Sequence, residues 1–225
     1  MCVEPSYAYG HPDELYDFIN SSESNINQNI NQNTNRNTAI IQAGGQKYPK
    51  ITDADFYDRI GRIYSKYTIK KNPSLTAEKY CKPKDFALQP PQEFLSHYVH
   101  PNTPYKSLLI YHRIGSGKTC SAIQIAEKWK GVRRIIVVLP ASLIGGFKNE
   151  LRSLCVGEHY LKNSERKKLA KLEPGEAEYD NIIKKSDERI EKYYNIYSYN
   201  KFVEFIKLGS MSLRNSILII DEIQN

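Results

Sequence analysis

One segment limits what this chain can fold into more than any other. An apolar run at residues 107–111 (SLLIY) breaks into His112-Arg113-Ile114-Gly115-Ser116-Gly117-Lys118-Thr119. Residues 119–130 follow, with Ala122, Ile125, Ala126 and Trp129 on one helical face before Gly131. The pattern reads as a strand, a glycine loop and a helix start. Gly115 and Gly117 permit a tight turn in which successive backbone N–H groups converge on an anion, and the helix N-terminus adds partial positive charge. Lys118 brings a full charge to the β- and γ-phosphates of a nucleotide, and the Thr119 hydroxyl is placed to ligate Mg2+. The strict form of the pattern, G-x-x-x-x-G-K-[ST], has glycine where this chain has His112.

A second signal lies downstream. Ser216–Ile220 (SILII) is an apolar strand that ends in Asp221 and Glu222. At the carboxyl end of a strand Asp221 can hold Mg2+ through water, and Glu222 can orient and deprotonate an attacking water. Alone this is weak, because strands often end in solvated charge. With the glycine loop upstream it indicates a P-loop NTPase whose cofactors are ATP and Mg2+. Arg134–Leu139 (RIIVVL), stopped by Pro140, reads as another buried strand and residues 195–199 as a short one. Residues 92–99 read as a helix starting after Pro90-Pro91, and 142–154 and 201–208 as further helices. Short apolar strands alternating with helices give an α/β fold with a parallel sheet.

Residues 1–50 read as a disordered Asn-rich tail. Asn occupies every second position from Asn25 to Asn37, and such a segment buries too little apolar surface to offset its ordering entropy. Residues 51–84 read as a helical N-terminal extension, with Thr52 and Asp55 as a capping box and Phe56, Ile60, Ile63, Tyr64 and Tyr67 at helical spacing. Residues 85–225 hold the α/β lobe, interrupted at 157–193 by a charged, exposed helical insertion. Net charge is +7, with the excess on Arg113, Lys118, Lys128, Lys130, Arg133, Arg134, Lys148 and Arg152, which is compatible with a polyanionic partner. No apolar run approaches the ~18 residues of a membrane span, and the N-terminus lacks the basic head and apolar stretch of a secretory signal. Cys2, Cys81, Cys120 and Cys155 are scattered, without a C-x-x-C pair, and read as reduced intracellular thiols.

Beyond these motifs the chain resembles superfamily 2 helicases, and within them the SNF2-like branch of large nucleocytoplasmic DNA viruses, over about residues 51–225. Phe86-Ala87-Leu88-Gln89-Pro90-Pro91-Gln92 is similar to that branch's glutamine motif, which implies adenine reading by Gln92. His112 before the loop is similar to the viral members. Leu139-Pro140-Ala141-Ser142-Leu143, followed by Phe147 and Glu150, resembles motif Ia. Ile196-Tyr197-Ser198-Tyr199, followed by Phe202, resembles motif Ib, and Asp221-Glu222-Ile223-Gln224 resembles motif II. The resemblance implies a RecA-like first helicase lobe with nucleic-acid contacts at Pro140, Ser142 and Tyr199. It implies catalytic roles for Lys118, Asp221 and Glu222. The nucleotide would be lined by His112, Arg113, Ile114, Gly115, Ser116, Gly117, Lys118 and Thr119, with Thr119 and Asp221 at the metal.

The activity implied is ATP hydrolysis coupled to movement on nucleic acid, DNA ahead of RNA. The implied setting is viral transcription machinery inside the cell, in a viral factory or virion. Asn225 directly follows motif II, so the lobe is expected to be incomplete, with motif III and the second RecA-like lobe and its arginine finger missing. These 225 residues alone are therefore expected to be inactive. Two other readings stay open: a non-catalytic ATP- or nucleic-acid-binding module of a transcription complex, and a lobe of an RNA helicase.

Overall fold

A computed structural model describes residues 48–69, 86–111 and 115–223. The Asn-rich tail up to residue 47, residues 70–85, His112, Arg113, Ile114 and Gln224 lie outside the described residues. Strand β1 (Arg134–Leu139) is the centre of a parallel sheet, flanked by β2 (Tyr194–Ser198) and β3 (Ser216–Ile220) in the order β2-β1-β3. Its residues are buried from Ile135 to Leu139. A central parallel strand is covered on both faces, which selects an unbroken β-branched run over alternation. Val137 stands opposite Ile196 on one side and Ile219 on the other. The fold is therefore mixed α/β with a three-stranded parallel sheet, consistent with a RecA-like helicase lobe.

The helices are α1 (Phe56–Ile63), α2 (Pro90–Tyr98), α3 (Lys118–Trp129), α4 (Ile144–Leu151), α5 (Asn163–Leu169), α6 (Ala177–Glu191) and α7 (Tyr199–Lys207). Helix α3 is the packing hub. Its Ile123 and Ala126 join Ile135, Val137 and Leu139 in the main core, while Ile125 and Trp129 turn towards Leu95 of α2 and Val99 beyond it. An aromatic cluster attaches α1 to α2: Tyr64 meets Phe94 edge-on at 5.2 Å, and Tyr98 stacks on Tyr105 at 4.4 Å.

The structure departs from the sequence reading at several places. Asp55 precedes α1 without a side-chain cap bond, so Thr52 and Asp55 form no capping box. Helix α2 begins at Pro90, not after the prolines. First-turn N–H groups have no intrahelical acceptor, so proline is tolerated there. The Gln89 N–H instead donates to Gln92 Oε1 at 2.9 Å, closing a capping box. Residues 107–111 form no strand ladder, and Leu109 and Tyr111 are 60% and 86% exposed. Apolar propensity alone does not make a strand without a paired neighbour.

The charged 157–193 segment is not simply exposed. Ile182, Ser186 and Ile190 form a buried i, i+4, i+8 stripe on α6, and Tyr160 and Leu161 are buried before it. The scattered-thiol reading fails for one pair. Cys120 of α3 and Cys155, beyond α4, form a disulfide across 35 residues of sequence, because the α3–β1–α4 layering returns the chain to its start.

Candidate nucleotide and nucleic-acid site

The glycine loop enters α3 through two left-handed residues, Gly115 at φ 80° and Gly117 at φ 77°. Both conformations are natural for glycine and disfavoured for residues with a Cβ. At Gly117 the demand is also steric, since a Cβ there would lie 2.5 Å from Gln92 Nε2. The Gly117 carbonyl accepts from Gln92 Nε2 at 3.3 Å, from Ser121 Oγ at 3.2 Å and from the Ser121 N–H at 3.0 Å. Gln92 is buried and both ends of its amide are engaged, one on the α2 cap and one on the loop. Lys118 and Thr119 are the first two residues of α3, both half-buried.

Where that end of α3 lies follows from the chain path. The N–H groups of Val132 and Arg133 both donate to the Trp129 carbonyl, reversing the chain between α3 and β1. Twelve helical residues span about 18 Å, and six strand residues span about 20 Å. Lys118 and Thr119 therefore stand level with the carboxyl end of β1. Because the sheet is parallel, Pro140, Tyr199 and Asp221 leave their strands at that same edge. Ligands of open parallel sheets bind at this edge.

Asp221 continues the ladder by one bond: its N–H donates to the Val138 carbonyl at 2.9 Å. Its Oδ1 accepts from the Glu222 N–H at 3.0 Å. Glu222 is left-handed at φ 56°, an unusual conformation for a residue with a side chain. The Tyr199 hydroxyl donates to the Asp221 carbonyl at 2.6 Å. Burial, with the nearby Asp221 and Glu222 charges, raises the Tyr199 phenol above its ordinary value, keeping it a neutral donor.

Of the expected nucleic-acid contacts, Ser142 is exposed in a 3-10 turn and Pro140 half-buried beside it, whereas Tyr199 opens α7 with its hydroxyl on Asp221. Phe147 is buried against the core at Tyr194 and serves packing. Among the described residues, several of the basic side chains are engaged elsewhere. Lys148 pairs with Asp187 and Glu191 at 3.2 and 3.1 Å, and the buried Arg152 pairs with Asp187 at 2.5 Å. Arg134 donates to the Ser212 carbonyl and Ser216 Oγ at the opposite edge, and Arg133 covers the Trp129 ring. A cavity of about 340 Å³ lined by Gln124, Glu127, Lys130 and His159 lies along α3, and none of the expected nucleotide residues lines it. Nothing in the sequence signals the Tyr199–Asp221 bond, which depends on the strand order.

Known proteins place the chain. Over 178 residues it is 53% identical to a protein of Acanthamoeba polyphaga mimivirus named "Putative ATP-dependent RNA helicase", covering 79% of this chain and 31% of that protein. By sequence the chain is similar to proteins of large nucleocytoplasmic DNA viruses that are named as putative helicases or as a termination-factor homolog. A "Putative helicase" of Invertebrate iridescent virus 3 is 28% identical, over 60% of this chain and 14% of its own length. A "Termination factor NPH-I homolog" of African swine fever virus is 28% identical, over 53% of this chain and 15% of its own length. The chain thus spans under a third of the length of these curated relatives. No protein-family model matches it, and no solved structure does. Among the described residues no helix is long and apolar enough to cross a membrane.

Proposed function

We propose that this chain is the ATP-binding first motor lobe of a viral helicase or translocase that runs on DNA during transcription. The reading is supported by the left-handed Gly115 and Gly117 turn into the α3 N-terminus and by Asp221 and Glu222 at the carboxyl end of a strand of the parallel sheet. The residues suit a magnesium nucleotide. The left-handed glycines keep side chains away from the loop backbone, and Thr119 and Asp221 are the hard oxygen donors that Mg2+ prefers. Bound there, ATP·Mg2+ supplies the phosphoryl group whose transfer to water drives the motor. Lys118 neutralises phosphate charge at the α3 N-terminus, where the helix dipole adds to it. Thr119 and Asp221 hold the metal. Glu222 orients the attacking water and takes its proton.

The DNA track rests on the resemblance of motif Ia, with the bulky aromatic Phe147, and of Tyr197-Ser198-Tyr199 to the SNF2-like branch. The RNA reading is supported by the printed name of the mimivirus relative. The test is ATPase stimulation in the protein carrying this chain. Duplex DNA is expected to raise the rate more than RNA of matched sequence, and stimulation by RNA alone would replace the DNA track with an RNA one.

A further inference from the structure

The Asp221–Glu222 peptide is held at both of its polar atoms. Its N–H, belonging to Glu222, donates to Asp221 Oδ1 at 3.0 Å. Its oxygen, the Asp221 carbonyl, accepts from the Tyr199 hydroxyl at 2.6 Å. The preceding N–H, on Asp221, is fixed to Val138 at 2.9 Å. What these bonds hold is the φ of 56° at Glu222, a conformation that persists in a residue with a Cβ only when its surroundings impose it. Rotation of this peptide plane would swing the Glu222 side chain, so the Tyr199 bond bears directly on where the carboxylate points.

Tyr199 belongs to another part of the lobe. It opens α7 directly after Ser198, whose Oγ caps the helix by accepting from the Lys201 N–H at 3.4 Å. The β2–α7 turn is the segment whose sequence suggested a nucleic-acid contact. The phenol therefore reaches from that turn, past the end of β1, to the end of β3.

We propose that Tyr199 is a positioning residue for Glu222: its hydroxyl fixes the Asp221–Glu222 peptide and links the β2–α7 turn to ATP turnover. This rests on the hydrolytic reading of the site given above. A displacement of the turn by bound nucleic acid is passed through one hydrogen bond to the carboxylate that activates water. The bond, not a grip on the strand, is then the function of the Tyr199 hydroxyl.

The experiment compares Tyr199→Phe, Tyr199→His and Glu222→Gln with wild type in the protein carrying this chain. It measures kcat, KM for ATP and nucleic-acid Kd. Tyr199→Phe keeps the ring and removes only the donor. It is expected to lower kcat by about tenfold. KM for ATP and nucleic-acid Kd should stay within about twofold of wild type. Tyr199→His, whose ring N–H can donate, is expected to recover part of kcat, which a purely structural loss would not allow. Unchanged kcat in Tyr199→Phe, or a loss confined to nucleic-acid Kd, would overturn the proposal while Glu222→Gln remains inactive. Turnover retained by Glu222→Gln would instead overturn the hydrolytic reading, and the role of Tyr199 with it.

Discussion

Glu127 of α3 is a carboxylate held within the lobe by Tyr160, Tyr194 and Lys130, with His159 Nδ1 3.3 Å from its Oε2. The Tyr160 and Tyr194 hydroxyls reach its Oε1 at 2.6 and 2.7 Å, and Lys130 pairs with Oε2. Burial pushes its pKa up, but the bonds from Lys130, Tyr160 and Tyr194 outweigh burial and hold it below the usual carboxylate value. Both phenols are in turn raised by burial and by this charge. The arrangement ties α3 to Tyr160 in the segment leading to α5 and to β2. Glu127→Gln keeps the shape and removes the charge, and hydrogen bonds to charged groups contribute about 1.5–3 kcal/mol. The variant should lose stability of that order in urea denaturation at neutral pH, and Tyr194→Phe should lose less because one hydroxyl donor remains. At Gly117 the expectation is different in kind. Gly117→Ala must place a Cβ in the left-handed region against Gln92, so nucleotide affinity should fall by about tenfold or more, measured by titration with a fluorescent ATP analogue.

Among the elements, β1 and β3 were legible to the residue, because RIIVVL and SILII are short apolar runs bounded by charge, proline or carboxylates. Other boundaries depend on partners that a linear reading does not contain. Residues 107–111 look like a strand by composition and have no ladder. The start of α2 is set by where orphan N–H groups fall, and the 157–193 segment hides its core stripe among abundant charges. Tyr199 was expected at a nucleic-acid contact from its motif, whereas its bond to Asp221 arises from the order β2-β1-β3.

The pair α5–α6 makes an element-scale prediction. Arg189 holds both carboxylate oxygens of Glu165, at 2.8 and 2.5 Å, and that hydrogen bonding pulls the carboxyl down to about 2. A carboxyl whose folded pKa is depressed stabilises fully above its unfolded value of 4.5 and loses that contribution as pH falls towards about 2. Wild type should therefore lose stability over this window more steeply than Glu165→Gln, as measured by thermal unfolding at a series of pH values.

At the scale of the whole molecule, the Cys120–Cys155 bond fastens the helix that follows the phosphate loop to the segment beyond α4. A cross-link closing a loop of this size typically contributes about 2–4 kcal/mol by restricting the unfolded chain. Reductant, or Cys155→Ser, should lower unfolding stability by that order, with thiol titration reporting the opening of the bond.

The central claim is that the glycine loop and the β3 carboxylates make one ATP-hydrolysing site. The most direct test is steady-state ATPase activity together with equilibrium nucleotide binding, in the protein carrying this chain, for wild type, Lys118→Ala and Glu222→Gln. Lys118→Ala should lose both binding and turnover. Glu222→Gln should bind ATP·Mg2+ within about threefold of wild type while turnover drops by about 100-fold or more. Wild-type turnover in Glu222→Gln, or undiminished nucleotide binding in Lys118→Ala, would contradict the account.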